Sequence, residues 1–303
     1  MLIRVLGSSA GGGFPQWNCA CANCDGLRRG RIRATPRTQS SIAVSGDGRR
    51  WVLVNASPDV LTQIRAAPYL QPGRAPRDTG IAAIILVDAQ IDHTTGLLML
   101  REGKALEVYC TDAVAADLTG GHPLFRVLSH FCGVNRHGID PCGAAFEVPD
   151  VPFLRFSAVA LRSAAPPYSP HRADPRPGDN IGLTVEDSRS GRKLFYAPGL
   201  GEIEPRVAAR MEEADCLMVD GTFWTDDELV RLGISDKRAR DIGHLPQSGA
   251  GGMIEVLEAY PRARRILIHI NNTNPILDVD SAQRAELARN GIEVAFDRMA
   301  IEL

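Results

Sequence analysis

The chain has 303 residues, 44% of them hydrophobic and 23% charged, with a formal net charge of −2. That composition excludes a disordered chain, a collagen and a coiled coil, and a single layered domain spanning 1–303 is compatible with the length. Near-neutrality leaves no field to hold a polyanion, so the expected ligand is a small molecule rather than nucleic acid.

Leu2 to Leu6 reads as a strand running into a glycine-rich turn at 7–13, which lacks the spacing of a dinucleotide fingerprint and the Lys of a phosphate loop. Ser40 to Ser45 and Trp51 to Asn55 flank an Asp-Gly turn and predict a hairpin. Ser57-Pro58-Asp59 then caps a helix, with Pro at its first position and Val60, Leu61 and Ile64 on one face. Ile81 to Val87 is apolar throughout, which predicts a strand covered on both faces and therefore a layered fold. A helix at Thr94 to Arg101, a strand at Leu106 to Cys110 and helical stretches at 112–118 and 122–130 follow.

Val151 to Leu161 alternates as a strand does, and the Pro-rich stretch 164–178 is a long loop of the kind that forms a lid. Ile181 to Glu186 and Lys193 to Tyr196 form a second expected hairpin. The last third alternates helix and strand at Glu204–Glu213, Cys216–Asp220, Gly249–Ala259, Arg264–Ile270, Ser281–Asn290 and Ile292–Phe296. No apolar run approaches the ~20 residues of a bilayer-spanning helix, and the first residues read as a strand rather than a leader, so a cytoplasmic protein is expected.

Seven cysteines are an odd set for a disulfide scaffold. Cys19, Cys21 and Cys24 lie within six positions, a spacing that lets three thiolates converge in a loop on one tetrahedral zinc ion as a closed, structural site. Cys110, Cys132, Cys142 and Cys216 stand apart and read as small core residues. A second polar cluster, Asp88, Gln90, Asp92 and His93, follows immediately on the buried strand, where ligands collect at strand ends. Asp220 and His269 belong to later strands, and His244 precedes a helix. Brought together, Asp92, His93, Asp220 and His269 make a two-His, carboxylate-rich site suited to iron(II), manganese or zinc.

The stretch Asp88-Ala-Gln-Ile-Asp92-His93-Thr-Thr-Gly-Leu resembles the His-x-His-x-Asp-His loop of the metallo-β-lactamase superfamily, and the Cys19-x-Cys21-x-x-Cys24 loop resembles the structural zinc site of its phosphodiesterase branch. Gly-Gly-Gly-Phe-Pro-Gln-Trp-Asn-Cys-Ala-Cys and Ile-His-Ile-Asn-Asn-Thr-Asn-Pro-Ile-Leu, at the two ends, make the whole chain similar to a family within that superfamily that serves pyrroloquinoline quinone (PQQ) synthesis. The resemblance implies a four-layer αβ/βα sandwich, a PQQ precursor or PQQ itself as ligand, other PQQ-synthesis proteins as partners, and pairing of two chains as a homodimer. It implies either iron- and O2-dependent hydroxylation of a tyrosine-derived ring or a carrier that delivers or exports finished PQQ.

Departures from the superfamily pattern bear on the chemistry. Asp88 and Gln90 replace the first two histidines, no His lies near Ala160, and Ala197-Pro198-Gly199 stands where a bridging aspartate is expected. One metal site of a binuclear hydrolase is thereby lost, which disfavours the third function class, a metal-dependent hydrolase. What remains is Asp92, His93 and His269, with Asp220 or Asp88 near enough to help, and His244 as a proton shuttle. His269 has a second expected role, because the family's second zinc-binding His is Asn272 here: the fourth zinc ligand is His269 or Asn272. Arg162, Arg172 and Arg176 are candidates to meet ligand carboxylates.

Overall fold

Strand residues alternate between two faces, and in the computed structural model, which describes residues 1–303, both faces of each sheet are covered. The first sheet contains β1 (Leu2–Gly7), β2 (Ser41–Ser45), β3 (Trp51–Val54), β4 (Ile81–Ile85), β5 (Leu106–Cys110) and β6 (Val134–Gly138). The second contains β7 (Leu154–Ala160), β8 (Ile181–Asp187), β9 (Lys193–Ala197), β10 (Cys216–Asp220), β11 (Arg264–Ile268) and β12 (Ile292–Val294), while β13 (Ala300–Glu302) returns to the free edge of β1. The strand orders are β13-β1-β2-β3-β4-β5-β6 and β12-β11-β10-β9-β8-β7. Each sheet is mixed: β3 to β6 and β9 to β12 pair in parallel, the rest antiparallel.

The helices are α1 (Ala22–Arg28), α2 (Val60–Arg65), α3 (Ile91–Thr94), α4 (Asp112–Thr119), α5 (Leu124–Leu128), α6 (Pro205–Glu212), α7 (Glu228–Arg231), α8 (Met253–Glu258) and α9 (Ala282–Arg289). The apolar run of β4 divides by parity. Ile85 and Val87 join Val5, Phe156, Leu183, Met218 and Ile268 between the sheets, whereas Ile84 and Leu86 pack with Val114 and Leu118 of α4 and Leu124 of α5. The outer face of the second sheet, with Phe195, Leu217 and Leu267, is closed by Val207 of α6, Met253 of α8 and Leu287 of α9. This is the αβ/βα sandwich of the metallo-β-lactamase fold, and parity explains why its central strands lack polar–apolar alternation.

Several local expectations change. The helix expected at Thr94 to Arg101 is α3 followed by a 3-10 turn at Thr95–Leu100. The Gly96 amide turns away from a helical partner to bond Ala56 O at 2.9 Å, which draws this turn against the end of β3. The three thiols are not all in a loop: Cys21 is the N-cap of α1 and Cys24 lies in its first turn. Helix α2 starts after Asp59, so Pro58 precedes the cap, and Leu61 faces solvent. Pro123, which cannot donate within a helix, stands as the N-cap of α5 and delays the start expected at 122. Phe153 at φ 70° delays β7, and His269 at φ 61° ends β11 before the expected Ile270, so this imidazole follows the strand rather than lying inside it. Strands β6 and β13 and helix α7 lie where no element was expected.

Candidate metal centre and its cleft

The loop after β4 delivers the first half of the site. Asp88 is buried and its carboxylate faces His93 Nδ1 at 2.8 and 2.9 Å, while Oδ1 also accepts from Gln90 N at 2.9 Å. With Nδ1 so occupied, His93 Nε2 points away from Asp88; it is buried and has no hydrogen-bond partner. Burial opposes the charge on His93, but Asp88 and Asp92 beside it prevail and raise its pKa to about 9. Burial likewise opposes the charge on Asp92, yet the His93 and His269 rings hold that carboxyl well below the usual carboxylate range.

The second half comes from the ends of β10 and β11. His269 Nε2 lies 3.1 Å from Asp92 Oδ2, and its Nδ1 lies 2.9 Å from Thr222 Oγ1. A histidine in the left-handed backbone region is uncommon, and such conformations collect at functional sites. Asp220 is fully buried and both its oxygens are taken: Oδ1 accepts from Thr222 N and Oγ1, Oδ2 accepts from Leu200 N and meets His244 Nδ1 at 2.6 Å. Burial opposes the charge on His244 and the Asp220 carboxylate raises its pKa. The His244 and His269 rings stack at 5.4 Å between centroids.

Each of three imidazoles thus has Nδ1 held by an oxygen, which directs Nε2 outward, the arrangement by which histidines are oriented as metal ligands. Ligand atoms of Asp92, His93 and His269 lie within 4.8 Å of one another, and the unpartnered His93 Nε2 stands 3.9 Å from Asp92 Oδ2. Two imidazole nitrogens, one of them orphaned, and a carboxylate held in its charged form fit a divalent cation. Asp220, His244 and His269 form a second such group, although the Asp220 oxygens are committed to other donors. Asp88 stands behind His93 rather than beside Asp92.

These groups open on a cleft of about 780 Å³, which Gln90, Arg172, Lys237 and Asn271 also line. Cys19 and Cys21 stand at its rim. Asn272 Nδ2 sits among the thiols, 3.1, 3.6 and 3.4 Å from Sγ of Cys19, Cys21 and Cys24. The Asn272 amide therefore occupies the fourth corner of the thiol group, whereas both His269 nitrogens are directed to Thr222 and Asp92. Since amide O and N are interchangeable by a flip, Asn272 can present oxygen to a cation held there.

Among the arginines, Arg172 reaches the cleft, Arg162 is exposed 3.7 Å from Glu202, and Arg176 is exposed outside it. The 164–178 stretch forms part of the cleft wall and is tied down: the Tyr168 hydroxyl donates to Ala89 O, and Ser169 Oγ donates to Asp117 Oδ1 of α4 at 2.7 Å. Cys110 and Cys216 are core residues as expected, but Cys132 is half-buried and Cys142 exposed. Sequence reasoning assigned no part to Thr222, the hub joining Asp220, His244 and His269. The available signal was a hydroxyl two residues after a strand-ending aspartate. No helix is long and apolar enough to cross a membrane.

Residues 50–270 match the family described as the beta-lactamase superfamily domain. Over the full length of both chains, this protein is 67% identical to coenzyme PQQ synthesis protein B of Methylobacillus flagellatus and 64% identical to that of Azoarcus sp. (strain BH72). The crystal structure of Zn2+-bound PqqB from Methylobacterium extorquens matches with a TM-score of 0.90 at 36% identity, all of both chains covered. A diphosphatase of the PhnP family, 18% identical with a TM-score of 0.68 over 100% of this chain and 96% of that one, shares the fold. With its thiol cluster, its strand-end imidazoles and full-length identity of this order, the chain belongs to the coenzyme PQQ synthesis protein B (PqqB) family of the β-lactamase superfamily.

Proposed function

We propose that this protein acts in PQQ synthesis as an iron(II)-dependent hydroxylase that uses O2 to oxidise the tyrosine-derived ring of a PQQ precursor. The observation that carries this reading is the convergence of Asp92 Oδ2, His93 Nε2 and His269 Nε2 on a cleft. Two imidazoles and one carboxylate leave adjacent coordination positions open. Iron(II) in that setting supplies O2 binding and activation next to the substrate.

The remaining residues have roles that follow from their contacts. Asp88 orients His93, and the thiols with Asn272 hold a structural zinc at the cleft rim. Arg172 and Lys237 place positive charge on the walls, which favours a carboxylate-bearing precursor. Putting one oxygen atom of O2 into a ring C–H bond and releasing the other as water consumes two electrons and two protons; a reductant supplies the electrons. His244, its pKa raised by Asp220 and its ring on the cleft, delivers protons.

The test is anaerobic reconstitution with iron(II), metal counting on wild type and on Asp92→Ala, His93→Ala and Cys21→Ala, then O2 uptake with a dihydroxyphenyl amino acid and ascorbate. Expected are iron lost with the Asp92 and His93 changes, zinc lost with Cys21→Ala, and substrate-dependent O2 uptake with hydroxylated product. Tight PQQ binding with no O2 uptake overturns the hydroxylase and leaves a carrier. Hydrolysis supported by zinc or manganese overturns it in favour of the parent chemistry.

A further inference from the structure

Thr222 is 2% exposed, and its hydroxyl oxygen lies close to four polar atoms. Asp220 Oδ1 is at 2.6 Å, His269 Nδ1 at 2.9 Å, His269 O at 2.9 Å and His244 Nδ1 at 3.1 Å. A hydroxyl has one proton to give and lone pairs to receive. We propose that Thr222 is a positioning residue that transmits the Asp220 charge to His269, fixing the ring proton on Nδ1 and leaving the Nε2 lone pair for the cation.

The assignment follows from counting protons. Asp220 Oδ1 is both the closest acceptor and the charged one, so it takes the Thr222 hydroxyl proton in preference to His269 O. The His244 Nδ1 proton goes to Asp220 Oδ2 at 2.6 Å rather than to Thr222 at 3.1 Å. The Thr222 lone pairs then have one donor in line, His269 Nδ1–H. In the metal-free protein the opposite tautomer gives the Asp92 carboxylate an N–H at 3.1 Å, but it closes Nε2 to a cation and leaves the one Thr222 proton to serve both His269 Nδ1 and Asp220 Oδ1; with a cation on Nε2, the ring proton has only Nδ1 to occupy. Asp220 thus acts on His269 through a neutral side chain, and it orders His244 directly through its other oxygen.

This inference rests on the metal site of Asp92, His93 and His269 and on no step of the reaction. It is tested by zinc affinity at that site, measured by chelator competition on wild type, Thr222→Val and Thr222→Ser, with zinc held by the cysteines counted separately as a control for folding. Loss of an outer-shell partner of a metal-bound histidine weakens binding about 10- to 100-fold, which is the change expected for Thr222→Val, and the Ser hydroxyl restores affinity to within about threefold. In the zinc-loaded wild type, the His269 Nδ1–H proton gives a slowly exchanging NMR signal, kept in Thr222→Ser and lost in Thr222→Val.

Equal zinc affinity in wild type and Thr222→Val overturns the inference, as does a Thr222→Ser variant as weak as Thr222→Val. If Thr222→Val fails to fold, a fast-exchanging His269 Nδ1–H in wild type overturns it alone. Wild type that binds no zinc at Asp92, His93 and His269 overturns the metal site itself and this inference with it; zinc binding without hydroxylation removes only the proposed reaction.

Discussion

Asp88 Oδ2 and His93 Nδ1 lie 2.8 Å apart, and on the far side of the same ring Nε2 is buried with no partner. Asp88 stands where the superfamily has a His, and by holding one nitrogen of His93 it leaves the other aimed into the cleft beside Asp92, as the proposed metal site requires. Replacing Asp88 by Ala frees the His93 ring to rotate and removes its charge partner. The expected outcome is cation affinity at Asp92, His93 and His269 weakened about 10- to 100-fold. Isothermal titration with zinc checks it, with unchanged zinc at the cysteines as the internal control.

The pH dependence of the metal-free protein follows from His93. Its folded pKa is raised to about 9 by Asp88 and Asp92 against the opposing effect of burial, and the ordinary value is roughly 6.5. The charged ring therefore stabilises the fold fully below pH ~6.5, and that contribution is lost as pH rises through about 9. Asp92 has the opposite sign, but its range lies below pH ~4 and does not overlap. Because a cation needs the neutral Nε2, zinc affinity rises across the window in which the apoprotein loses stability. Thermal unfolding of chelator-treated protein and zinc titration, both at pH ~6, ~7.5 and ~9, check the two opposed slopes.

At the rim, the Asn272 amide stands at the fourth corner of the proposed zinc site, where an imidazole would be the stronger ligand. Asn272→His is expected to slow zinc loss to a chelator, since imidazole nitrogen binds zinc in closed thiolate sites. Cys24→Ser should abolish that zinc and lower the thermal midpoint, because Cys24 is fully buried against the second sheet's outer core. Zinc release followed with a colorimetric chelator separates the two variants.

Gly96 packs where no side chain fits: a β-carbon there would stand 2.1 Å from Ser57 O and 2.7 Å from Ala56 O. Gly96→Ala must push the α3 turn off the end of β3, and the His93 carbonyl, which accepts from Ala56 N at 2.7 Å, moves with it. Destabilisation of about 1–3 kcal/mol is expected, with weaker cation binding. Urea unfolding beside a zinc titration measures both.

Phe156, 1% exposed between the sheets, reports on the core alone. Phe156→Ala should cost about 3–5 kcal/mol of stability while leaving zinc stoichiometry unchanged in the folded fraction. Loss of zinc from a still-folded variant would show that the intersheet core and the site are coupled.

Much was legible in the chain itself. The apolar run of β4, the two hairpins and the alternation of helix and strand after Glu204 follow from local periodicity and turn chemistry, so the layered class was readable without tertiary information. Cys19, Cys21 and Cys24 were readable as a group because their spacing is short enough for one ion. The misplaced edges have local physical causes. Gly96 diverts its amide to Ala56, and Phe153 and His269 adopt positive φ, neither of which a periodicity reports.

The division of labour among the polar residues was settled only by the fold. Asp88, Asp92 and Asp220 look alike in a sequence, each a carboxylate at or shortly after the end of an apolar strand. Distances separate them: Asp92 reaches His269 Nε2, Asp88 backs His93, and Asp220 is consumed by Thr222, Leu200 and His244. Asn272 rather than His269 came to the thiols for the same kind of reason. The left-handed turn after β11 directs the His269 ring toward Asp92 and Thr222, and the Asn272 amide reaches the cysteines. Sequence by itself determined which groups could ionise or bind a metal and that a covered sheet would gather them at strand ends. Asp88 meets His93 within one loop, but Asp92 meets His269 and Asn272 meets the thiols across more than a hundred residues of chain, and those distances exist only once both sheets have packed.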